Sequence, residues 1–195
     1  MKKIILASAS PRRQQLLANL GVPFTSFPAN IDEGVFLLEK PRDAVRRIAE
    51  AKARAVAVSF EEGLIIAADT AVVLAGEFLG KPSHSREAMV MLQRLSGRPH
   101  QVITAVCLYD VKTGQILVDE EETRVYFRNL TREEIESYVN TGEPMDKAGA
   151  YGIQDRGALL VEKIEGCYFN VVGLPLGRLY LMLKSFDVNL LEVRD

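Results

Sequence analysis

The chain alternates short, wholly apolar runs with stretches in which apolar residues return every three or four positions. These are the two patterns of a buried strand and an amphipathic helix. Residues 3–8, centred on Ile4-Ile5-Leu6-Ala7, predict a strand, residues 11–20 a helix closed by Gly21, and Phe24 to Phe27 a short strand with alternating faces. The opening is therefore β-α-β. Pro41 can open a helix over 41–59, in which Val45, Ile48, Ala49, Ala53 and Val56 recur at helical spacing and Lys52 borders their stripe. Leu64-Ile65-Ile66-Ala67-Ala68 is a continuous apolar run suited to a strand buried on both sides, which puts Asp69 and Thr70 at its C-terminal end.

Further along, Val72 to Leu74 and Phe78-Leu79, separated by Ala75-Gly76-Glu77, predict a hairpin that delivers Gly80-Lys81-Pro82. A helix over 85–95 ends at Gly97, and two longer β runs, 100–109 and 116–128, turn at Lys112-Thr113-Gly114. Thr131 and Glu134 match a capping box for a helix that runs to about Asn140. Beyond the glycine-rich stretch 146–154, strands over 158–164 and 167–172 lead to a last helix opening at Pro175. No repeat, low-complexity segment or linker interrupts the order. The expectation is one α/β domain, 1–195, with a substantial antiparallel part.

Composition narrows the function classes. With 195 residues, 48% hydrophobic and 26% charged, the chain has the make-up of an ordinary soluble globular protein. A formal net charge of −2 argues against a general nucleic-acid binder, so any anion site must be local. Met1-Lys2-Lys3 precedes too few apolar residues for a secretory signal, and nothing approaches the roughly 18 apolar residues of a membrane span, so a cytoplasmic location is expected. Cys107 and Cys167 lack metal-ligand spacing and do not define a disulfide framework, which fits a reduced compartment.

Local chemistry concentrates at a few places. In Ser8-Ala9-Ser10-Pro11-Arg12-Arg13, Ser10 suits the N-cap and Pro11 the first helical position, so Arg12 and Arg13 stand beside unpaired backbone N–H groups. That is a recipe for holding a phosphate or carboxylate. Two cations at the positive end of a helix dipole are mildly unfavourable, which raises the weight of a ligand over a merely solvated pair. Asp69 could hold a divalent cation or accept a proton from water, or else cap a turn. Glu33, beside Asp32, offers a second oxygen ligand or belongs to a solvated acidic loop. Lys52 and Lys81 direct ammonium groups into a cleft or lie along the surface. Gln154 ends the segment containing Lys147, Gly149 and Gly152, and its amide has both a donor and an acceptor suited to a base edge; the bland alternative is a mobile loop. His84 and His100 have no spaced partner for a metal or a triad and read as structural or exposed.

Together, SASPRR (8–13), AEAKA (49–53), AADT (67–70), GKP (80–82), SG (96–97), TAV (104–106), TGEPMDKAGAYGIQ (141–154) and VVGLP (171–175) resemble the Maf family of nucleotide pyrophosphatases over nearly the whole chain. The resemblance implies an α/β fold with a mixed sheet in two lobes around a central cleft, similar to the inosine triphosphate pyrophosphatases. It also implies a cytoplasmic enzyme, a homodimer, that cleaves a nucleoside triphosphate between the α- and β-phosphates with Mg²⁺ or Mn²⁺. On that basis Asp69 is the proton acceptor, and Ser8, Arg12, Arg13, Lys52 and Lys81 hold the triphosphate. Glu33 and Asp69 would serve the metal. Thr70 and the later AGAYGIQ are similar to the branch acting on dTTP and UTP, which makes Arg12, Thr70 and Gln154 the selectivity positions. Ala68 departs from the glycine that many relatives carry before the aspartate, a tolerable added methyl. Two other functions fit the same motifs: a nucleotide-binding regulator of septum formation without significant turnover, and a house-cleaning enzyme for modified bases.

Overall fold

Every strand predicted before residue 130 forms, and most begin or end within two residues of the expected position. The computed structural model describes residues 2–36 and 39–192. In chain order these residues build β1 (Ile4–Leu6), α1 (Pro11–Asn19), β2 (Phe24–Ser26), α2 (Pro41–Ala57), β3 (Leu64–Leu74), β4 (Glu77–Leu79) and α3 (Ser85–Leu95). Then come β5 (Pro99–Asp110), β6 (Ile116–Phe127), α4 (Arg132–Val139), β7 (Val161–Glu165), α5 (Tyr168–Val172) and α6 (Leu176–Lys184). The strands form one mixed sheet in the order β2-β1-β3-β5-β6-β7, with β4 paired to β3.

The chain divides into two compact units. The first comprises Met1–Asp69, Thr104–Glu121 and Gly173–Asp195. In it β1 lies parallel to both β2 and β3, with Ile4 opposite Phe24 on one side and Leu64 on the other. Parallel strands are covered on both faces, and accordingly Leu64 through Ala68 are wholly buried. The acidic run of β6 shows how the covering helices are fastened. Successive residues of a strand point to opposite faces. Glu120 pairs with Arg42 and Arg46 of α2, whereas Asp119 and Glu121 take Arg178 of α6 at 2.7 and 2.8 Å. Alternate carboxylates thus tie down different helices, and one of them, α2, carries Lys52.

The second unit comprises Thr70–Ile103 and Glu122–Val172. Its core joins Val72, Leu79, Leu92, Leu95, Val125, Phe127, Ile135 and Leu160. Thr131 and Glu134 form the predicted capping box, each bonding the other's backbone N–H. The hairpin forms as expected, with Val72 opposite Leu79 and a turn in which Ala75 and Gly76 both have positive φ.

The structure departs from two of the expected strands. Residues 167–172 are not a strand; Tyr168–Val172 is the short helix α5. Its β-branched and aromatic residues favour a strand, but buried polar bonding decides otherwise. The Asn170 amide, fully buried, donates to the Val102 carbonyl and to Thr123 Oγ1, both at 2.9 Å, and the Thr123 hydroxyl also bonds Cys167 N and O. The preceding strand is also displaced, to Val161–Glu165, because 158–160 complete a 3₁₀ turn that begins at Asp155.

His100 has the structural place expected of it. Its ring is buried edge-on against Phe127 and Tyr151, and Nε2 lies 2.7 Å from the Tyr151 hydroxyl. Burial pushes its pKa down from 6.5 to about 4. The unfolded chain therefore binds a proton in that window that the folded chain refuses, and this contribution to stability is present above pH 6.5 and lost as pH falls towards 4. The full loss is roughly 3 kcal/mol. Urea unfolding of His100→Gln at pH 7 and pH 4.5 is expected to show a variant less stable than the parent at neutral pH and closer to it in acid; parallel pH curves would rule out His100 as the source.

Candidate active site

β1 ends early, and that creates the site. Its last ladder bond is replaced by Ala7 N donating to the Ile66 carbonyl at 2.8 Å, after which the chain leaves the sheet through Ser8 to Ser10 and enters α1. Ser8 is buried, and its hydroxyl accepts from Ser10 N at 3.1 Å. The Ser8 carbonyl accepts from Ser26 Oγ of β2 at 3.0 Å, so the turn is held from the next strand. Ser10 is the N-cap, taking the N–H of Arg13 at 3.5 Å, and Pro11 begins the helix. Arg12 and Arg13 therefore stand in the first turn of α1, as the spacing predicted.

Arg13 is oriented by a residue that sequence reasoning did not single out for a role. Its Nε donates to the Gly173 carbonyl at 2.8 Å, a contact across 160 positions of the chain. Burial lowers the pKa of this guanidinium, Asp69 opposes that shift, and Arg12 adds to it. A guanidinium stays protonated in any case. The outcome is a fixed, poorly hydrated cation at the positive end of a helix, a position that favours an anion as its partner. No motif chemistry announces a carbonyl acceptor, which is why Gly173, though part of VVGLP, carried no expected role.

Asp69 requires a further correction. It does not stand at the end of its strand, because β3 continues through Thr70 to Leu74 on β-branched residues that pair with β4. What ends nearby is β1, whose Leu6 pairs with Ile66. Asp69 therefore lies beyond its parallel neighbour and within its own strand. Exposure follows: the buried run through Ala68 breaks at Asp69 and Thr70, then resumes at Ala71.

Lys52 of α2 joins the two acids that were expected to act together. Its Nζ lies 2.8 Å from Asp69 Oδ1 and 2.7 Å from Glu33 Oε1. The side chains of Lys52 and Asp69 are only 11% and 14% exposed, whereas Glu33 is 52% exposed, so the pair is sheltered and Glu33 reaches it from the open side. Burial raises the Asp69 pKa; Lys52 and Arg13 pull it down, and Glu33 adds to the rise. A carboxylate so placed is more basic than its cationic neighbours alone would leave it.

The structure thus brings together Ser8, Arg12, Arg13, Glu33, Lys52 and Asp69 in the first unit. Thr70, Lys81 and Gln154 belong to the second. Lys81 is exposed after β4, and Gln154 is half-buried ahead of a 3₁₀ turn. The two motifs that hold them do meet: Gly149 N donates to the Gly80 carbonyl at 3.0 Å. Gly149 has φ +69°, and a Cβ there would stand 2.8 Å from Val72 Cγ1, so only glycine allows this approach. The Lys147 ammonium donates to the Glu143 carbonyl and Asp146 Oδ1, each at 2.6 Å.

The chain also has recognisable relatives. The family model described as Maf-like protein matches residues 3–186. The chain belongs to the Maf-like family. A dTTP/UTP pyrophosphatase of Syntrophomonas wolfei is 55% identical over 187 residues, covering 96% of this chain and 99% of that relative. A dTTP/UTP pyrophosphatase of Moorella thermoacetica is 53% identical over 189 residues, covering 97% of each. Among solved structures, a HAM1 protein from Coxiella burnetii matches with a TM-score of 0.53 at 16% identity, over 95% of this chain and all of that one. At that identity the match speaks for the fold, a mixed α/β sheet shared with the Maf-like chain.

Proposed function

We propose that this Maf-like chain hydrolyses dTTP and UTP to the nucleoside monophosphate and pyrophosphate, with residues 1–195 acting as one catalytic domain. The observation that carries the reading is the sheltered Asp69–Lys52–Glu33 arrangement beside the arginine-bearing start of α1. The names of relatives at about half identity over almost the full chain supply the substrate. Arg12, Arg13 and Ser8 hold phosphate oxygens at the helix start, Lys52 and Lys81 neutralise further charge, and Thr70 and Gln154 select the base. Asp69 accepts a proton from water as its oxygen bonds to the α-phosphorus. The bond from that phosphorus to the bridging oxygen breaks, and pyrophosphate departs with the electron pair.

The donor set suits a divalent cation. Asp69 and Glu33 aim carboxylate oxygens at one cationic point, now the Lys52 ammonium. Among the described residues no group of three or more His, Cys, Asp or Glu could hold a metal. A pair of carboxylates completed by substrate phosphates is the habit of Mg²⁺ and also suits Mn²⁺. Such an ion supplies charge neutralisation on the phosphates. On the family resemblance alone, the reading extends to a cytoplasmic homodimer; no helix of the described residues is long and apolar enough to cross a membrane.

Product analysis by phosphorus NMR tests the reading. With Mg²⁺ or Mn²⁺, UTP and dTTP should yield monophosphate and pyrophosphate, and a chelator should stop the reaction. A diphosphate with inorganic phosphate would overturn it. Tight nucleotide binding without turnover would favour the septum-regulator alternative.

A further inference from the structure

Gln154 lies in a small loop that closes on itself. A Cβ on Gly157 would stand 1.9 Å from the Gly152 carbonyl oxygen, so the two ends of the loop touch and only glycine fits. The backbone inside and around it is held in unfavourable conformations, with φ of +61° at Ala150 and +53° at Asp155, the residue after Gln154. Such conformations persist only where the surroundings over-determine them. A segment rich in glycine would otherwise sample many others.

The restraint comes from one carboxylate and one phenol outside the loop. Glu143 Oε1 accepts from Gly157 N at 3.1 Å and from the Tyr138 hydroxyl at 2.9 Å. That hydroxyl in turn accepts from Gly152 N at 3.3 Å. Both ends of the loop are therefore tied to the same pair of side chains. Lys147 adds a third tie, its ammonium on the Glu143 carbonyl and its stem so close that a Cβ on Gly152 would meet Lys147 Cε at 2.9 Å. Tyr138 is buried in the core of the second unit, and burial pushes its phenol pKa up, so it keeps the proton it donates.

A primary amide is its own complement. Turned one way it donates to the O4 of uracil and accepts from N3–H, and turned the other way it accepts from the cytosine amino group and donates to N3. Glutamine as a residue type therefore does not separate the two bases; a glutamine fixed in one pose does. We propose that Glu143 is a positioning residue for base selection, acting with Tyr138 through the N–H groups of Gly152 and Gly157 to fix the loop that presents Gln154. This inference rests on the reading of Gln154 as a base-selecting residue.

The test measures kcat/KM for UTP and CTP in the parent, Glu143→Gln, Tyr138→Phe and Gln154→Ala, and in Glu143→Gln and Tyr138→Phe each combined with Gln154→Ala. Tyr138→Phe keeps the buried ring, so it reports even if Glu143→Gln fails to fold. Misplacement of a contact by an ångström costs on the order of a hundredfold, and a loosened loop should cost on the order of tenfold in the UTP-over-CTP ratio. The loss should appear in each single variant and vanish in the Gln154→Ala background. If Gln154→Ala removes the preference but neither loop variant changes it, Glu143 is merely structural and the inference is overturned. It is overturned equally if the variants lower both nucleotides alike, or lower the ratio to the same extent without Gln154. If Gln154→Ala leaves the preference at the parent value, the base-selecting reading itself has failed, and the inference falls with it.

Discussion

Asp69→Asn is expected to lower turnover of dTTP and UTP by about a hundredfold to ten-thousandfold, the usual consequence of losing a general base, the role proposed for Asp69. The folded structure should survive. Asparagine keeps the size of the side chain and an oxygen for Lys52, and Lys52 retains Glu33 at 2.7 Å. Removing a carboxylate whose pKa burial already raises also removes a charge that the surroundings solvate poorly. Calorimetric binding of nucleotide without metal should be kept or improved, since a negative charge facing a polyphosphate has gone. A well-folded variant that turns over both nucleotides within a few-fold of the parent would make Asp69 a structural residue of β3 and sink the mechanism.

The second large effect belongs to Arg13. Arg13→Ala is expected to reduce kcat/KM on the order of tenfold to a hundredfold, in keeping with about 1.5–3 kcal/mol for a hydrogen bond to a charged group. Lysine should rescue little, because a guanidinium that donates Nε–H to the Gly173 carbonyl keeps further donors in a rigid planar fork, which a single ammonium does not reproduce. Arg94→Ala is the control. Arg94 lies on α3 and pairs with exposed Glu77 at 2.5 Å, a surface pair of little energetic weight. Equal losses from Arg13→Ala and Arg94→Ala would dissolve the assignment of α1 as the phosphate end of the site.

Much of this site was legible because its residues advertise themselves locally. Ser10, Pro11 and the arginines announce a capped helix start, and Thr131 with Glu134 announces another. Leu64 to Ala68 read as a doubly buried strand because the run is unbroken. The meeting of Glu33 and Asp69 was legible as one of two readings of Glu33 and through the resemblance, whereas that Lys52 bridges them was not legible at all, since it depends on where α2 crosses the sheet. The end of β3 was misplaced for a related reason. Polar residues usually close an apolar run, but the strand passes through Asp69 and Thr70 because a hairpin partner supplies its hydrogen bonds further on. Tyr168–Val172 was misread because strand propensity is a local property, whereas the bonds of Asn170 come from β5 and β6. Glu143 stands within TGEPMDKAGAYGIQ, but its bracing role was not legible, since a carboxylate that braces a later turn looks like any solvated acid.

The bond between Arg13 and Gly173 also has a consequence for the order of synthesis. A chain emerging from the ribosome presents β1 and α1 first, yet the acceptor that orients the arginine arrives 160 residues later. Contacts so far apart in sequence close late, after the local hairpins and helices. A chain that has not yet reached Gly173 therefore carries the arginines without the acceptor that orients Arg13. On the proposed reading, the aim of Arg13 at substrate thus depends on a contact closed across 160 positions of the chain.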